Sequence, residues 1–175
     1  MTTLKDLTWD NHKRAETTPL MKALLKNEIS DALYSDMVYT YYQIFATIED
    51  RYQFATAELK RGQKTLNDWQ AIQVSLPRDL PAVTAYLERL RKIDKRQLWA
   101  HIYVHYLATL YGGQLIKRVA GTRFPTRRYD YERPQDCIAE IRSNLDVDLA
   151  DEANLAFEMT IAIYDELYNA HQINS

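Results

Sequence analysis

Four histidines, His12, His101, His105 and His171, limit any metal or acid–base role of imidazole to few positions. His12 stands in the run Trp-Asp-Asn-His-Lys-Arg-Ala-Glu, with Glu16 four residues on. On a helix that spacing lets the carboxylate reach one ring nitrogen and leaves the other for a metal, the partnership that orients a ligating histidine. The same pair is common on solvated helix faces, so alone it reads as surface. Lys5 precedes His12 by seven residues, which puts both on one face about 10.5 Å apart along the axis. A lysine there can meet an acidic group on a bound ligand or simply be solvated. His101 and His105 lie one turn apart, but no His-Glu-x-x-His pattern or neighbouring carboxylate completes a metal site. His171 falls in an expected frayed tail.

The stretch 98–120 is long, apolar and free of proline, yet carries Gly112-Gly113 in its middle. Each glycine costs about 1 kcal/mol relative to alanine inside a helix. Paired glycines permit a bend and let backbone approach a flat ligand, or they permit close helix packing; this stretch supports both equally.

The elements that must position these residues read as helices. Only four glycines and five prolines punctuate 175 residues, and 46% hydrophobic content suffices for one buried core, so a single domain over 1–175 is expected. Thr3 caps a helix to about residue 17, and Pro19 opens a short one ending near 27. Ser30 caps a long helix whose apolar face, Leu33, Met37, Tyr41, Ile44, Phe45 and Ile48, runs to about residue 60, ending before Gly62. Helices are expected at 65–75, 79–93, 95–120, 135–146 and 148–172, with breaks at Pro77, Pro81, Gly121, Pro125 and Pro134. Most of the thirteen tyrosines read as packing. The formal net charge of −2 gives no general attraction to nucleic acid or anionic membrane. One cysteine, Cys137, excludes an intrachain disulfide and suits a reducing cytoplasm. No apolar run reaches the length of a membrane helix, and the first ten residues lack a signal peptide's apolar core.

Two segments carry a resemblance: His12-Lys-Arg-Ala-Glu16 followed by Pro19-Leu-Met-Lys-Ala-Leu-Leu, and Tyr103-Val-His-Tyr-Leu-Ala-Thr-Leu-Tyr-Gly-Gly-Gln114. With weaker support from Tyr42 to Glu49, from Ile141-Arg142, from Ala156-Phe157 and from the run starting at Asp165, the chain resembles the heme oxygenases over nearly its whole length. The resemblance implies an all-α, single-domain helical bundle holding heme between a proximal and a distal helix. It makes His12 the iron ligand and Glu16 its partner. Lys5, Tyr103 and Arg142 match positions that bind the propionates, Gly112 and Gly113 fall where the distal helix bends over the heme, and Phe157 falls where the ring packs. The implied reaction is oxidative cleavage of heme to biliverdin, carbon monoxide and ferrous iron, using O2 and electrons from a ferredoxin or other reductase.

The chain departs from the family pattern mainly around the distal water network. Ala108-Thr109 stand where the family has Gly-Asp, Phe45 at a usual tyrosine, His105 at a usual arginine and Thr160 at a frequent asparagine. Thr109 can hold a water through its hydroxyl but supplies no charge, so Thr109 and His105 are the candidates for proton delivery there. Trp9 and Ile138 stand at positions that often carry propionate-binding lysines. A non-catalytic heme binder of the same fold is the first alternative. A thiaminase-like hydrolase, with Cys137 as nucleophile, is the second, and a helical interaction module is the blandest. Lys117, Arg118, Arg123, Arg127 and Arg128 form a basic cluster able to dock an acidic electron donor or merely to be solvated. A monomer is expected, since no sustained coiled-coil seam appears.

Overall fold

Side-chain caps and prolines decide where the helices begin. Thr3 and Asp6 form a capping box at the start of α1 (Leu4–Glu16). Thr18 caps α2 (Pro19–Leu25), with Pro19 in the first turn where its missing N–H costs nothing. Asn27 takes the left-handed conformation that turns the chain out of α2, and Ser30 caps α3 (Asp31–Arg51). Then follow α4 (Gly62–Ile72), α5 (Pro81–Lys92), α6 (Lys95–Leu110), α7 (Gly112–Ala120), α8 (Pro134–Ser143) and α9 (Ala150–Gln172). The computed structural model describes residues 1–72, 74 and 76–172, and among these there are helices and turns but no strand. The expected end of the fourth helix at residue 75 lies outside the described residues.

Several boundaries differ from the sequence expectation, among them the end of α8 at Ser143 and not near residue 146. The long third helix ends at Arg51, not near residue 60: Tyr52 is extended, and the chain turns so that Phe54 enters the core against Trp99 and Tyr106. Gly62 opens α4 instead of following α3, because Glu49 accepts hydrogen bonds from the backbone N–H of Arg61 at 2.5 Å and Gly62 at 3.1 Å, capping the new helix. The apolar stretch 95–120 is two helices, broken at Tyr111.

One continuous apolar core runs through α3, α6 and α9, with Leu20 and Leu24 of α2 and Leu87 and Leu90 of α5 closing its sides. Helix α1 packs along α9, so the segment carrying His12 faces α6 and α7 across a gap. No described helix is long and apolar enough to cross a membrane. The segment after α7 is held by buried cations: the Arg61 guanidinium donates to the carbonyls of Arg128 and Asp130, and Arg128 bonds Asp68 and the Tyr34 hydroxyl.

Candidate functional site

The gap between α1 and the α6–α7 bend is a cavity of about 1100 Å³, above the roughly 300–1,000 Å³ of an ordinary small-ligand pocket. Five of the exposed large apolar side chains among the described residues, Met1, Trp9, Tyr111, Leu115 and Val147, lie on its walls. Exposed apolar surface gathered around one concavity marks a ligand site, not random surface composition.

His12 lines this cavity from α1. Its ring stacks on Trp9 at 5.4 Å and meets the edge of Phe157 from α9 at 5.8 Å, so two helices fix its plane. Nε2 lies 3.5 Å from a Glu16 carboxylate oxygen, while Nδ1 is buried with no hydrogen-bond partner. A buried imidazole nitrogen without a partner is costly unless a ligand completes it. Either ring nitrogen of a histidine can bind a metal. Glu16 thus stands beside one ring nitrogen, and the other has no partner.

Lys5, Tyr103 and Arg142 all line the same cavity. The Lys5 ammonium sits 5.5 Å over the Trp9 ring, Arg142 donates to the Tyr111 hydroxyl at 2.9 Å, and the Tyr103 and Thr8 hydroxyls are 3.0 Å apart. Two cations and a phenol at one rim suit a ligand with acidic substituents. Trp9 is in the cavity wall, and Ile138 is buried outside it.

The paired glycines separate into the two roles left open by the sequence. Gly112 lines the cavity, and a Cβ there would meet nothing within 4 Å. Gly113 is not among the cavity-lining residues, and a Cβ there would overlap the ring of Tyr129, so its lack of a side chain serves packing. Tyr111, with φ −112° and ψ −79°, carries the break between α6 and α7.

On the far wall, Thr109 and His105 both reach the cavity. The Thr109 hydroxyl donates to the Tyr106 carbonyl at 2.6 Å and lies 2.7 Å from the Tyr131 hydroxyl, so its only proton is already committed. The Thr160 hydroxyl likewise donates to the Ala156 carbonyl, and Phe45 packs edge-on against Tyr106. Tyr41 and Tyr164 are hydrogen-bonded to each other and line the cavity, positions that helical periodicity assigned to plain core. Burial raises both phenols, Tyr164 to about 12, so neither ionises at neutral pH.

Several expectations are overturned. His101 has a carboxylate after all, Glu152 at 2.8 Å, brought from 51 residues away. His171 is not frayed but bonds buried Asp36 at 2.8 Å. Arg128 is 1% exposed and paired with Asp68 at 3.3 Å, so it cannot belong to a docking surface. Lys117 pairs with Asp130 and Arg123 with Asp31, while Arg118 and Arg127 are exposed. Cys137 is fully buried outside the cavity, and burial pushes its thiol up to about 11, which removes it as a nucleophile.

The architecture is that of an all-helical protein with a large apolar cavity, a histidine on one wall and a helix break on the other. The family model described as heme oxygenase matches residues 1–129. The heme oxygenase 1 of Nostoc sp. is 28% identical over 89% of this chain and 80% of its own length; heme oxygenase 2 of Macaca fascicularis is 28% identical over 95% of this chain and 65% of its own. Among solved structures, heme oxygenase-1 from the cyanobacterium Synechocystis sp., in complex with heme, superposes with a TM-score of 0.83 at 24% identity, covering 97% of this chain and 94% of that one. The chain belongs to the heme oxygenase family.

Proposed function

We propose that this chain is a heme-binding oxygenase that cleaves heme to biliverdin, carbon monoxide and ferrous iron with O2 and external electrons. The observation that carries it is the cavity itself, an apolar slot lined by His12, whose Nδ1 has no hydrogen-bond partner, and by the cations Lys5 and Arg142. His12 would hold the iron with Glu16 setting its ring, Lys5, Tyr103 and Arg142 would take the two carboxylates, and Phe157 and Trp9 would pack on the ligand. Heme, once bound, supplies the iron at which O2 is activated and is itself the substrate.

The protein's own contribution is position and proton control. Gly112 removes a side chain from the wall facing His12. No described side chain there offers a charged acid: burial holds the His105 imidazole down to about 3, so it stays neutral at physiological pH. With heme bound, a wall without a strong acid beside the ligand would leave proton delivery to water, a condition that would favour oxidation of the macrocycle. We place the whole chain in one domain working as a monomer, with a ferredoxin or other reductase approaching at Lys117, Arg118, Arg123 and Arg127.

A non-catalytic heme binder is favoured by one specific observation: the Thr109 hydroxyl is occupied by Tyr106 and Tyr131, and so is poorly placed to anchor water. The binding half of the proposal is tested by titrating heme into the protein. One heme per chain with a sharp Soret band is expected, with the iron spectrum changed in His12→Ala. In Lys5→Ala/Arg142→Ala the affinity should fall roughly tenfold or more, as for two lost charge-assisted contacts. Heme that fails to bind, or binds equally in His12→Ala with an unchanged spectrum, contradicts it.

A further inference from the structure

Behind the wall facing His12 lies a buried chain of polar groups that the cavity alone does not explain. Arg89 of α5 donates to both oxygens of Glu152 of α9, at 3.0 and 2.5 Å. Glu152 stands 2.8 Å from His101 Nε2, His101 Nδ1 lies 2.6 Å from the Tyr86 hydroxyl, and that hydroxyl lies 2.7 Å from His105 Nε2. His101 and Tyr86 are wholly buried, and His105 ends the chain at the cavity. The other groups facing His105 are neutral, the Tyr41 ring from α3 at 6.1 Å and Tyr86 itself, so Arg89 and Glu152 are the chain's only full charges.

Proton counting fixes the direction of this chain. The Tyr86 hydroxyl has one proton and touches two ring nitrogens, so one of them must donate and the other accept. The Glu152 carboxylate, bonded through both oxygens to Arg89, can only accept, which places a proton on His101 Nε2. A neutral His101 then has a bare Nδ1, which takes the Tyr86 proton, and the Tyr86 oxygen in turn accepts from His105 Nε2. We propose that Glu152, acting through His101 and Tyr86, holds His105 in the neutral tautomer whose bare Nδ1 serves the cavity as a hydrogen-bond acceptor. Glu152, His101 and Tyr86 are then positioning residues. They supply at His105 an acceptor able to hold a water, which the occupied Thr109 hydroxyl supplies poorly, without placing a charge or an acid in the cavity. Burial depresses the pKa of both imidazoles, and the Glu152 carboxyl is held down to about 2, chiefly by His101. All three directions agree with neutral rings and an ionised carboxylate.

The tautomer is read directly by histidine-nitrogen NMR on the full chain without heme, independently of any turnover. His101 and His105 are both expected to carry the proton on Nε2 and none on Nδ1. Glu152→Ala leaves only the donors of Arg89 beside His101 Nε2, so the chain should reverse and put the His105 proton on Nδ1. Glu152→Gln, whose carbonyl can replace the accepting oxygen, should keep the original pattern. If Glu152→Ala does not fold, Tyr86→Phe answers instead, since without the hydroxyl His105 should lose its single form and show both tautomers. An Nδ1-protonated or charged His105 in the unaltered protein at neutral pH overturns the inference, as does a His105 signal unmoved in every folded variant. The role in turnover rests on the oxygenase reading: with heme bound, Glu152→Ala should slow pigment formation roughly tenfold, the size of one lost hydrogen bond, with heme affinity unchanged. An unaltered protein that binds heme but makes no pigment counts against the oxygenase reading alone and leaves the tautomer result standing.

Discussion

The two glycines of the helix break show how the same residue type serves two ends at neighbouring positions. Gly113 is pressed against Tyr129 and tolerates no Cβ without displacing that ring, whereas Gly112 faces open space. Gly113→Ala should therefore cost about 1–3 kcal/mol as an overpacked contact. Gly112→Ala should leave stability unchanged or raise it by up to about 1 kcal/mol. Denaturant midpoints of the two variants check this; equal losses would mean that both glycines pack alike. The sequence could name both glycines but not divide them, because Tyr129 reaches Gly113 only through the fold. His12 and Glu16 were legible as a pair from spacing, and their meaning came from Trp9 and Phe157, one of them contributed by a helix far along the chain.

At the scale of elements, the periodic apolar positions located nearly every helix, while ends set by long-range contacts were not legible. Nothing between Arg51 and Gly62 marks a stop: α3 ends because Phe54 is drawn into the core and because Glu140 of α8 accepts from the backbone N–H groups of Ala55 and Thr56. The basic segment after α7 teaches the same lesson with charge. Five cations in sequence look like one surface, yet Arg128 is buried on Asp68 and Tyr34 as an internal strut. Replacing Arg128 with Ala should destabilise the protein by about 3–5 kcal/mol, by leaving Asp68 buried and uncompensated. Reversing the exposed pair, Arg118→Glu/Arg127→Glu, should leave thermal stability nearly unchanged and slow ferredoxin-driven turnover while sparing turnover by a small chemical reductant. Equal slowing with both reductants would remove this face as the docking site.

Across the whole molecule, the buried histidine–carboxylate chain couples stability to pH. His105 is neutral in the fold, with its pKa lowered from 6.5 to about 3. Its contribution is complete above pH 6.5 and is lost as pH falls towards 3, since only the unfolded chain can then take up the proton. His101, also lowered, acts in the same direction. Glu152, lowered from 4.5 to about 2, adds a further loss below pH 4.5. Each group contributes a slope of about 1.4 kcal/mol per pH unit within its own window. Urea midpoints should be level above pH 7, decline below 6.5 and steepen below 4.5, and His105→Asn should flatten the upper part of that decline. A level midpoint from pH 7 to 4 would mean that these rings are not buried as neutral groups. This coupling was invisible in sequence, where His101 and Glu152 stand 51 residues apart.

The central claim, that the cavity binds heme on His12 and directs oxygen onto the ring, is tested most directly by an absorption time course of the heme-loaded protein in air with ascorbate or ferredoxin. The account predicts that the Soret band falls while a biliverdin-like band grows, and that His12→Ala abolishes this conversion. A Soret band that persists, or bleaches without pigment, would contradict it and leave a heme binder whose wall at Thr109 and His105 does not direct oxygen to the macrocycle.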